Sequence, residues 1–379
     1  MPNLFTDLKQ CCGCTACESV CPKGAISMVR REGFAYPQLD ENLCVSCGLC
    51  EKVCAFRNEK IEESNCISAY ACKNAEAVRM QSSSGGIFTA LSDSVLAENG
   101  AVYGAAFDDA MILRHTRATT AKVRNTMRGS KYIQSDPSGI FPQVKDDLRA
   151  DIPVLFVGTP CQVAGLKSFL GKEFANLLTV DVICHGVPSP EIWERFVGYV
   201  NQKYKGRMVD YAFRNKKVSW RRYSPVATFS DGKTVGENNY TGAFVELFRY
   251  DVCMRPSCTV CPYASVYRQG DITIGDFWGI ENVLPQLDDG KGVSAVMVNS
   301  EKGVKALEKA EGIELTPCTQ EQIAARQPNL SRPSQPSNKA AAFRQDWKSM
   351  PFANLLKKYT RVGVKRRVID LAKGILRRG

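Results

Sequence analysis

Between residues 11 and 54 the chain lays out eight cysteines in two identical runs. Cys11, Cys14, Cys17 and Cys21 follow the spacing C-x2-C-x2-C-x3-C with Pro22 directly behind, and Cys44, Cys47, Cys50 and Cys54 repeat it. Three thiolates two residues apart wrap a tight loop around one iron–sulfur cube, and the longer last step carries the fourth to a neighbouring cube. On that rule Cys11, Cys14, Cys17 and Cys54 hold one 4Fe–4S cluster, and Cys44, Cys47, Cys50 and Cys21 hold a second. Gly13 and Gly48 fall where the backbone must come close to a cluster and a Cβ would obstruct it. Zinc sites more often use two separated C-x2-C pairs with histidine, and neither run contains a histidine. Cys12 is surplus to the pattern and reads as a bystander.

This is the two-cluster ferredoxin spacing, and it sets how the other cysteines are read. Seventeen cysteines in 379 residues suggest disulfides only in a small secreted protein. The start at Met1-Pro2-Asn3 lacks the charged and apolar regions of a signal peptide, and no apolar run approaches a membrane span. The expected location is the cytoplasm, where thiolates stay reduced. The net charge of +11 is uneven: residues 351–379 carry nine Lys or Arg against Asp370 alone, which leaves about +3 for the rest. That balance argues against a nucleic-acid partner. The tail interleaves its basic residues with Leu355, Leu356, Tyr359, Val362, Val364 and further apolar positions. Such a basic amphipathic helix can dock an acidic partner or lie peripherally on the inner membrane face, or it can pack on its own domain.

After a polar linker at residues 57–65 the pattern turns α/β. Residues 152–157 and 177–184 are near-continuous apolar runs, as in strands buried on both faces, with a crossover helix over 162–170 between them. Residues 86–96 and 190–204 have helical spacing, the second with Ser189 as N-cap. Residues 101–107, 271–275 and 293–298 predict further strands, and 226–235 a hairpin with a type I′ turn at Asp231-Gly232. Residues 327–338 read as an irregular connection.

Chemistry-bearing turns follow these strands, where α/β sheets place ligands. They are residues 82–86 (three serines, Gly85, Gly86), 129–135 (with Lys131, Tyr132, Gln134, Ser135), 158–162 (with Cys161), 183–188 (with Cys184 and His185), and 275–279 (with Asp276 and Trp278). Cys258 and Cys261 add a separate C-x2-C. Cys161, Cys184, Cys258 and Cys261 would make a third cluster if their strand ends converge. Cys253, Cys258 and Cys261 also spell the plant-type C-x4-C-x2-C, and Cys161 and Cys184 can equally be buried core residues. Of the two histidines, His115 sits among polar residues and is expected at the surface, while His185 can move a proton or hold a structural hydrogen bond. No Walker, G-x-G-x-x-G, H-E-x-x-H or G-x-S-x-G motif occurs.

In this order behind a two-cluster front, the middle motifs resemble the coenzyme F420 hydrogenase/dehydrogenase beta subunit family over residues 8–330. The resemblance implies an α+β ferredoxin-like N-terminal domain (1–60), an α/β flavin-binding catalytic domain (66–326), and a Pro/Ser connection with a basic helical tail (327–379). It implies FAD with Ser83, Gly85, Gly86, Lys131, Tyr132, Gln134 and Ser135 as contacts. Cys161, Cys184, Cys258 and Cys261 become ligands of a third 4Fe–4S cluster, and Asp276, Trp278 and His185 become the catalytic candidates. The implied activity is an iron–sulfur flavin-dependent oxidoreductase. It would move electrons between a ferredoxin-like carrier or redox partner subunit and a hydride-exchanging substrate or coenzyme F420. Some relatives belong to surface polysaccharide synthesis. The rival is a non-catalytic electron-transfer subunit of a larger complex, and a homo-oligomer is compatible with either.

Overall fold

The computed structural model describes residues 2–58, 65–217, 219–360 and 362. Thirteen strands are seen among them. In chain order these are β1 (Ile26–Arg31), β2 (Phe34–Leu39), β3 (Ser68–Asn74), β4 (Ala101–Phe107), β5 (Leu113–Ala118), β6 (Val154–Gly158) and β7 (Leu177–Val182). They continue as β8 (Met208–Ala212), β9 (Val226–Phe229), β10 (Thr234–Val235), β11 (Ile272–Asp276), β12 (Ser294–Val298) and β13 (Ile313–Cys318).

The apolar runs of β6 and β7 lie side by side in parallel, joined by the helix Pro160–Leu170. β4 and β11 extend the parallel block on either side. β5 closes one edge antiparallel to β4; β12, β3 and β13 close the other, giving the order β13-β3-β12-β11-β7-β6-β4-β5. Every residue of β12 is buried, as a strand covered on both faces requires. Pro317 sits in β13, an edge strand, where a missing N–H costs no ladder bond. The C-terminal ends of β6, β7 and β11 therefore open on one side of the sheet, where the turns at 158–162, 183–188 and 275–279 emerge.

A second layer is aromatic. The helix Pro190–Tyr204, capped by the Ser189 hydroxyl on the Ile192 N–H, packs Trp193 and Phe196 against β8–β10 and the helix Ala243–Arg249. The hairpin at 226–235 forms, but Gly232 alone has positive φ and Phe229 N–H bonds Lys233 O. The loop is a three-residue turn with glycine in the left-handed position, because a type I′ turn would also require Asp231 there. The helix Phe352–Tyr359 buries Leu355, Leu356 and Tyr359 in this same core. Its apolar face is thus covered by the chain itself, and the rest of the basic tail on which docking was expected, residues 361 and 363–379, lies outside the described residues. No helix among the described residues is long and apolar enough to cross a membrane.

At the N-terminus β1 and β2 form a hairpin between the cysteine runs, and the short helices Ala16–Val20 and Leu49–Lys52 carry Cys17 and Cys50. The result is an α+β ferredoxin-like segment followed by a larger mixed α/β unit with helices at its C-terminal end.

Candidate functional site

The two cysteine runs adopt the same backbone. The second residue after the first cysteine is left-handed in both, Gly13 at φ +73° and Ser46 at +52°; so is the fourth, Thr15 at +68° and Gly48 at +72°. Backbone N–H groups then aim at sulfur: Ser46 donates to Cys44 Sγ (3.4 Å) and Ala25 to Cys21 Sγ (3.2 Å). Burial and then charge at Cys14, Cys11 and Cys54 raise the Cys17 thiol, so these four thiols, drawn from both runs, are neighbours. Among the described residues no three His, Cys, Asp or Glu side chains could share a single metal ion, and a cube bound by one thiolate per iron asks for no such convergence. None of the seventeen cysteines is in a disulfide. The second run lies outermost: Cys47 is exposed, with Leu43, Val45 and Leu49 open beside it.

Above the sheet ends lies a cleft of about 570 Å³, within the range of small-molecule and cofactor sites. It gathers Ser83, Gly86, Lys131, Tyr132, Ser135, His185, Asp276 and Trp278 from separate turns. The Ser82–Gly86 turn and the 129–135 turn are joined where Ser130 N–H donates to Ser83 Oγ at 2.7 Å. Gly86, at φ +90°, precedes the helix Ile87–Ala97 and leaves that helix start facing the cleft. Tyr132 stacks on Phe248 (4.5 Å between centroids) and meets Phe213 and Tyr223 edge-on, forming an aromatic wall. Trp278 stacks on Trp220 at 5.1 Å with Arg214 over its face. Two cleft-lining groups have orphaned polar atoms: Asp276 Oδ1 and Arg128 Nε are buried without a hydrogen-bond partner. An acceptor and a donor left open in an aromatic cleft fit a ring with polar edges, since unpaired buried groups are costly. Asp276 Oδ2 is paired with Arg214, and burial nonetheless holds this carboxyl above its ordinary range.

Three of the expected flavin contacts act otherwise. Gly85 lies outside the cleft lining; a Cβ there would stand 2.1 Å from the Cys72 carbonyl oxygen and 2.5 Å from Ser294 N, so glycine lets the turn press on the sheet. Gln134 also points away, its amide donating to Cys12 O (2.8 Å) and accepting from Arg255 (2.7 Å). Two residues apart, Tyr132 and Gln134 would share one face of a regular extended strand, but the chain bends at Ile133 between them. Lys131 lines the cleft, but its ammonium group is turned onto the carbonyls of Met127, Arg128 and Gly129, and burial lowers its pKa to about 8.

A second cavity lies behind the first, and Cys161, Cys184, Cys258 and Cys261 all line it. The convergence asked of the sequence is therefore met. Burial raises the Cys184 thiol, and Cys258, Cys161 and Cys261 add to that through their charge. The free volume is only about 40 Å³, so taking up a cube would need the lining side chains to move. The donor chemistry, these four thiols and Cys12 with no carboxylate in the lining, suits iron–sulfur. Thr159, Cys184, His185, Gly186, Val187 and Asn329 line both spaces, so one turn separates cavity from cleft. Cys253 is elsewhere, buried in the aromatic core, so the C-x4-C-x2-C alternative is not assembled. His185 Nε2 donates to Asp251 Oδ1 at 2.6 Å; burial opposes its protonation, but Asp251 and Asn329 outweigh burial and raise its pKa. Residues 327–334 are more than a spacer, because Gln327, Pro328 and Asn329 line the cleft and Pro333 and Ser334 the cavity.

Sequence reasoning missed three residues here. His115 is buried in the cleft wall, stacked on Phe156 at 5.3 Å, and not at the surface. Its strand β5 alternates buried Leu113 and His115 with outward Arg114, a period-2 signal hidden by the polar composition. Nε2 donates to Val157 O (3.1 Å), which leaves Nδ1 to accept from Ser135 Oγ (3.0 Å). Arg255 and Cys12 are the other two; both are buried where the cysteine loop meets the larger unit.

Burial lowers the His115 pKa from 6.5 to about 4. The unfolded chain then binds the proton first as pH falls, so stability present above pH 6.5 is lost toward pH 4, about 3 kcal/mol in all. Urea unfolding of His115→Gln is expected to vary less over that window than the parent; equal slopes would remove His115 from the account.

Residues 10–58 match the 4Fe-4S dicluster domain family. Residues 153–321 match the family formed by the C terminus of the coenzyme F420 hydrogenase/dehydrogenase beta subunit. An uncharacterized protein of Methanocaldococcus jannaschii is 40% identical over 60 residues, 15% of this chain and 24% of that protein, so the match spans about a quarter of the relative's length. A chain in the F420-reducing nickel–iron hydrogenase complex from Methanosarcina barkeri, solved with xenon, aligns at 16% identity and a TM-score of 0.46, covering 81% of this chain and 97% of that one. The chain thus matches two families in tandem, the 4Fe-4S dicluster domain at residues 10–58 and the C terminus of the coenzyme F420 hydrogenase/dehydrogenase beta subunit at residues 153–321.

Proposed function

We propose that the protein is an iron–sulfur flavoprotein oxidoreductase that moves electrons between a one-electron carrier and a hydride-exchanging substrate or coenzyme F420. The observation that carries this reading is the single turn at 184–187 shared by the aromatic cleft and the four-cysteine cavity. The order of sites then runs from the exposed second cysteine run, through the first, to the cavity and the cleft. The proposed division into residues 1–60, 66–326 and 327–379 follows that order, with 327–334 serving the site as walls. FAD in the cleft would supply a group that takes up electrons in pairs and releases them singly, whereas each cluster carries one.

The chain's own residues have definable parts in this reading. Tyr132 and Phe248 offer a flat apolar surface, and Asp276 Oδ1 and Arg128 Nε offer one acceptor and one donor to a ring edge. The His185–Asp251 pair, at the rim between the two spaces, holds a proton beside the route. Ser83 and Gly86 shape the floor.

A second reading, a non-catalytic electron-transfer subunit, is favoured by the exposed Leu43, Val45 and Leu49 around Cys47, a face suited to a redox partner. To separate the two, anaerobically purified protein is reconstituted with iron, sulfide and FAD and mixed with reduced ferredoxin or reduced coenzyme F420. The enzyme reading expects bound flavin that bleaches with the clusters. It also expects Cys258→Ala to retain flavin but slow its reduction by reduced ferredoxin about tenfold or more. Failure to bind any flavin leaves the electron-transfer subunit.

A further inference from the structure

We propose that Cys12 couples the first cysteine run to the third cysteine site, as a buried thiol bridging Cys14 and Cys161. The inference rests on the reading that Cys161, Cys184, Cys258 and Cys261 hold a third cluster.

Nothing in the cluster spacing requires a cysteine at this position. Its equivalent in the second run is Val45, which is 57% exposed. Cys12 is 7% exposed and lines the four-cysteine cavity as a fifth thiol together with Cys161, while standing two residues before Cys14 in the first run. The difference between the two positions comes from docking. Arg255 Nε donates to Cys11 O at 2.9 Å and Gln134 Nε2 to Cys12 O at 2.8 Å, which fixes the loop on both sides of the thiol. Gly13 admits this approach, since a Cβ there would stand 2.8 Å from Arg255 Nη1. On the far side Cys14 seats on Gly165 of the helix that begins beside Cys161, and a Cβ at Gly165 would stand 2.8 Å from Cys14 Sγ. The loop is clamped so that the Cys12 side chain is held in the cavity wall, between the first run and Cys161.

The chemistry of such a bridge is specific. An S–H directed at a ligand sulfur stabilises the more negative, reduced form of a cluster and raises its potential. It also fills the gap between two redox sites with a polarisable sulfur. No bond is made or broken: an electron leaves one site and enters the other.

The test uses the full chain, anaerobically purified, as parent, Cys12→Ala, Cys12→Ser and Val45→Ala. Iron is counted first: a parent with about eight irons contradicts the third-cluster reading itself, whereas about twelve leaves it standing and lets the variants decide on Cys12. After a pulse of photoreductant, freeze-quench EPR follows the arrival of electrons at the third cluster, and redox titration gives the potentials. Cys12→Ala is expected to keep its iron, to slow arrival about tenfold, and to move the two flanking clusters to more negative potentials. Cys12→Ser should recover most of both, because it restores a hydrogen-bond donor, and Val45→Ala should match the parent. Unchanged rate and potentials in Cys12→Ala would overturn the proposal. So would the loss of about four irons in both Cys12 variants, which would make Cys12 a ligand.

Discussion

Replacing Arg268 by alanine is expected to cost about 3–5 kcal/mol of stability, because it strands a buried carboxylate. Arg268 Nη2 meets Asp181 Oδ1 at 3.1 Å with the two side chains 1% and 0% exposed. The same guanidinium donates to the carbonyls of Tyr263, Ser265 and Val182, while Asp181 Oδ2 accepts from the N–H groups of Gln269 and Gly270. The pair therefore fastens residues 261–270, which follow Cys261, to β7, which ends beside Cys184. Breaking it separates two sides of the third cysteine site. Urea unfolding should report the stability loss, and iron analysis a loss of about four irons per chain with the other eight retained. The double variant Arg268→Met with Asp181→Leu should recover much of the stability, since no charge is left unpaired. A cost below about 1 kcal/mol for Arg268→Ala would contradict this role.

The second large effect is expected at Arg255. It is fully buried, and its guanidinium lies 4.2 Å from the Tyr36 ring centroid. It donates to Cys11 O, Ala35 O (3.0 Å) and Gln134 Oε1 (2.7 Å), with Nη2 3.6 Å from Cys11 Sγ. Arg255→Ala leaves the buried Gln134 Oε1 unpaired, at about 1–3 kcal/mol, along with two half-buried carbonyls at less, and removes the cation beside a cluster ligand. The N-terminal segment should then become sensitive to limited proteolysis, and the potential of the Cys11 cluster should fall. Arg255→Lys keeps the charge without the planar fork, so it should preserve more of the potential than of the docking. Wild-type protease resistance in Arg255→Ala would mean that the segment is held by other contacts.

These two arginines mark where the sequence stops being legible. The cysteine runs can be read because cluster ligation is local: spacing alone dictates the loop, and Gly13 and Gly48 adopt the required left-handed backbone. Only Gly13 meets a steric limit, since a Cβ at Gly48 would touch nothing within 4 Å. The helices capped by Ser189 and Thr159 and the apolar strands β6 and β7 can be read for the same reason. β3 escapes such a reading because its buried positions, Ala69, Ala71 and Cys72, are small and its alternation faint. β13 escapes it because Pro317 argues against a strand unless the strand lies at an edge. Gln134, His115 and Cys12 are misplaced by local reasoning because their surroundings come from segments 20 to 150 residues away. Their neighbours in sequence carry no trace of those partners.

The most direct measurement of the whole account is the cofactor content of anaerobically purified chain, with iron, acid-labile sulfide and flavin counted per polypeptide. The account predicts about twelve irons, as many sulfides, and about one FAD, from the two clusters of the dicluster segment, one in the four-cysteine cavity, and the aromatic cleft. About eight irons with no flavin, unchanged after reconstitution, would contradict it and leave a ferredoxin-type segment on a fold that carries electrons no further.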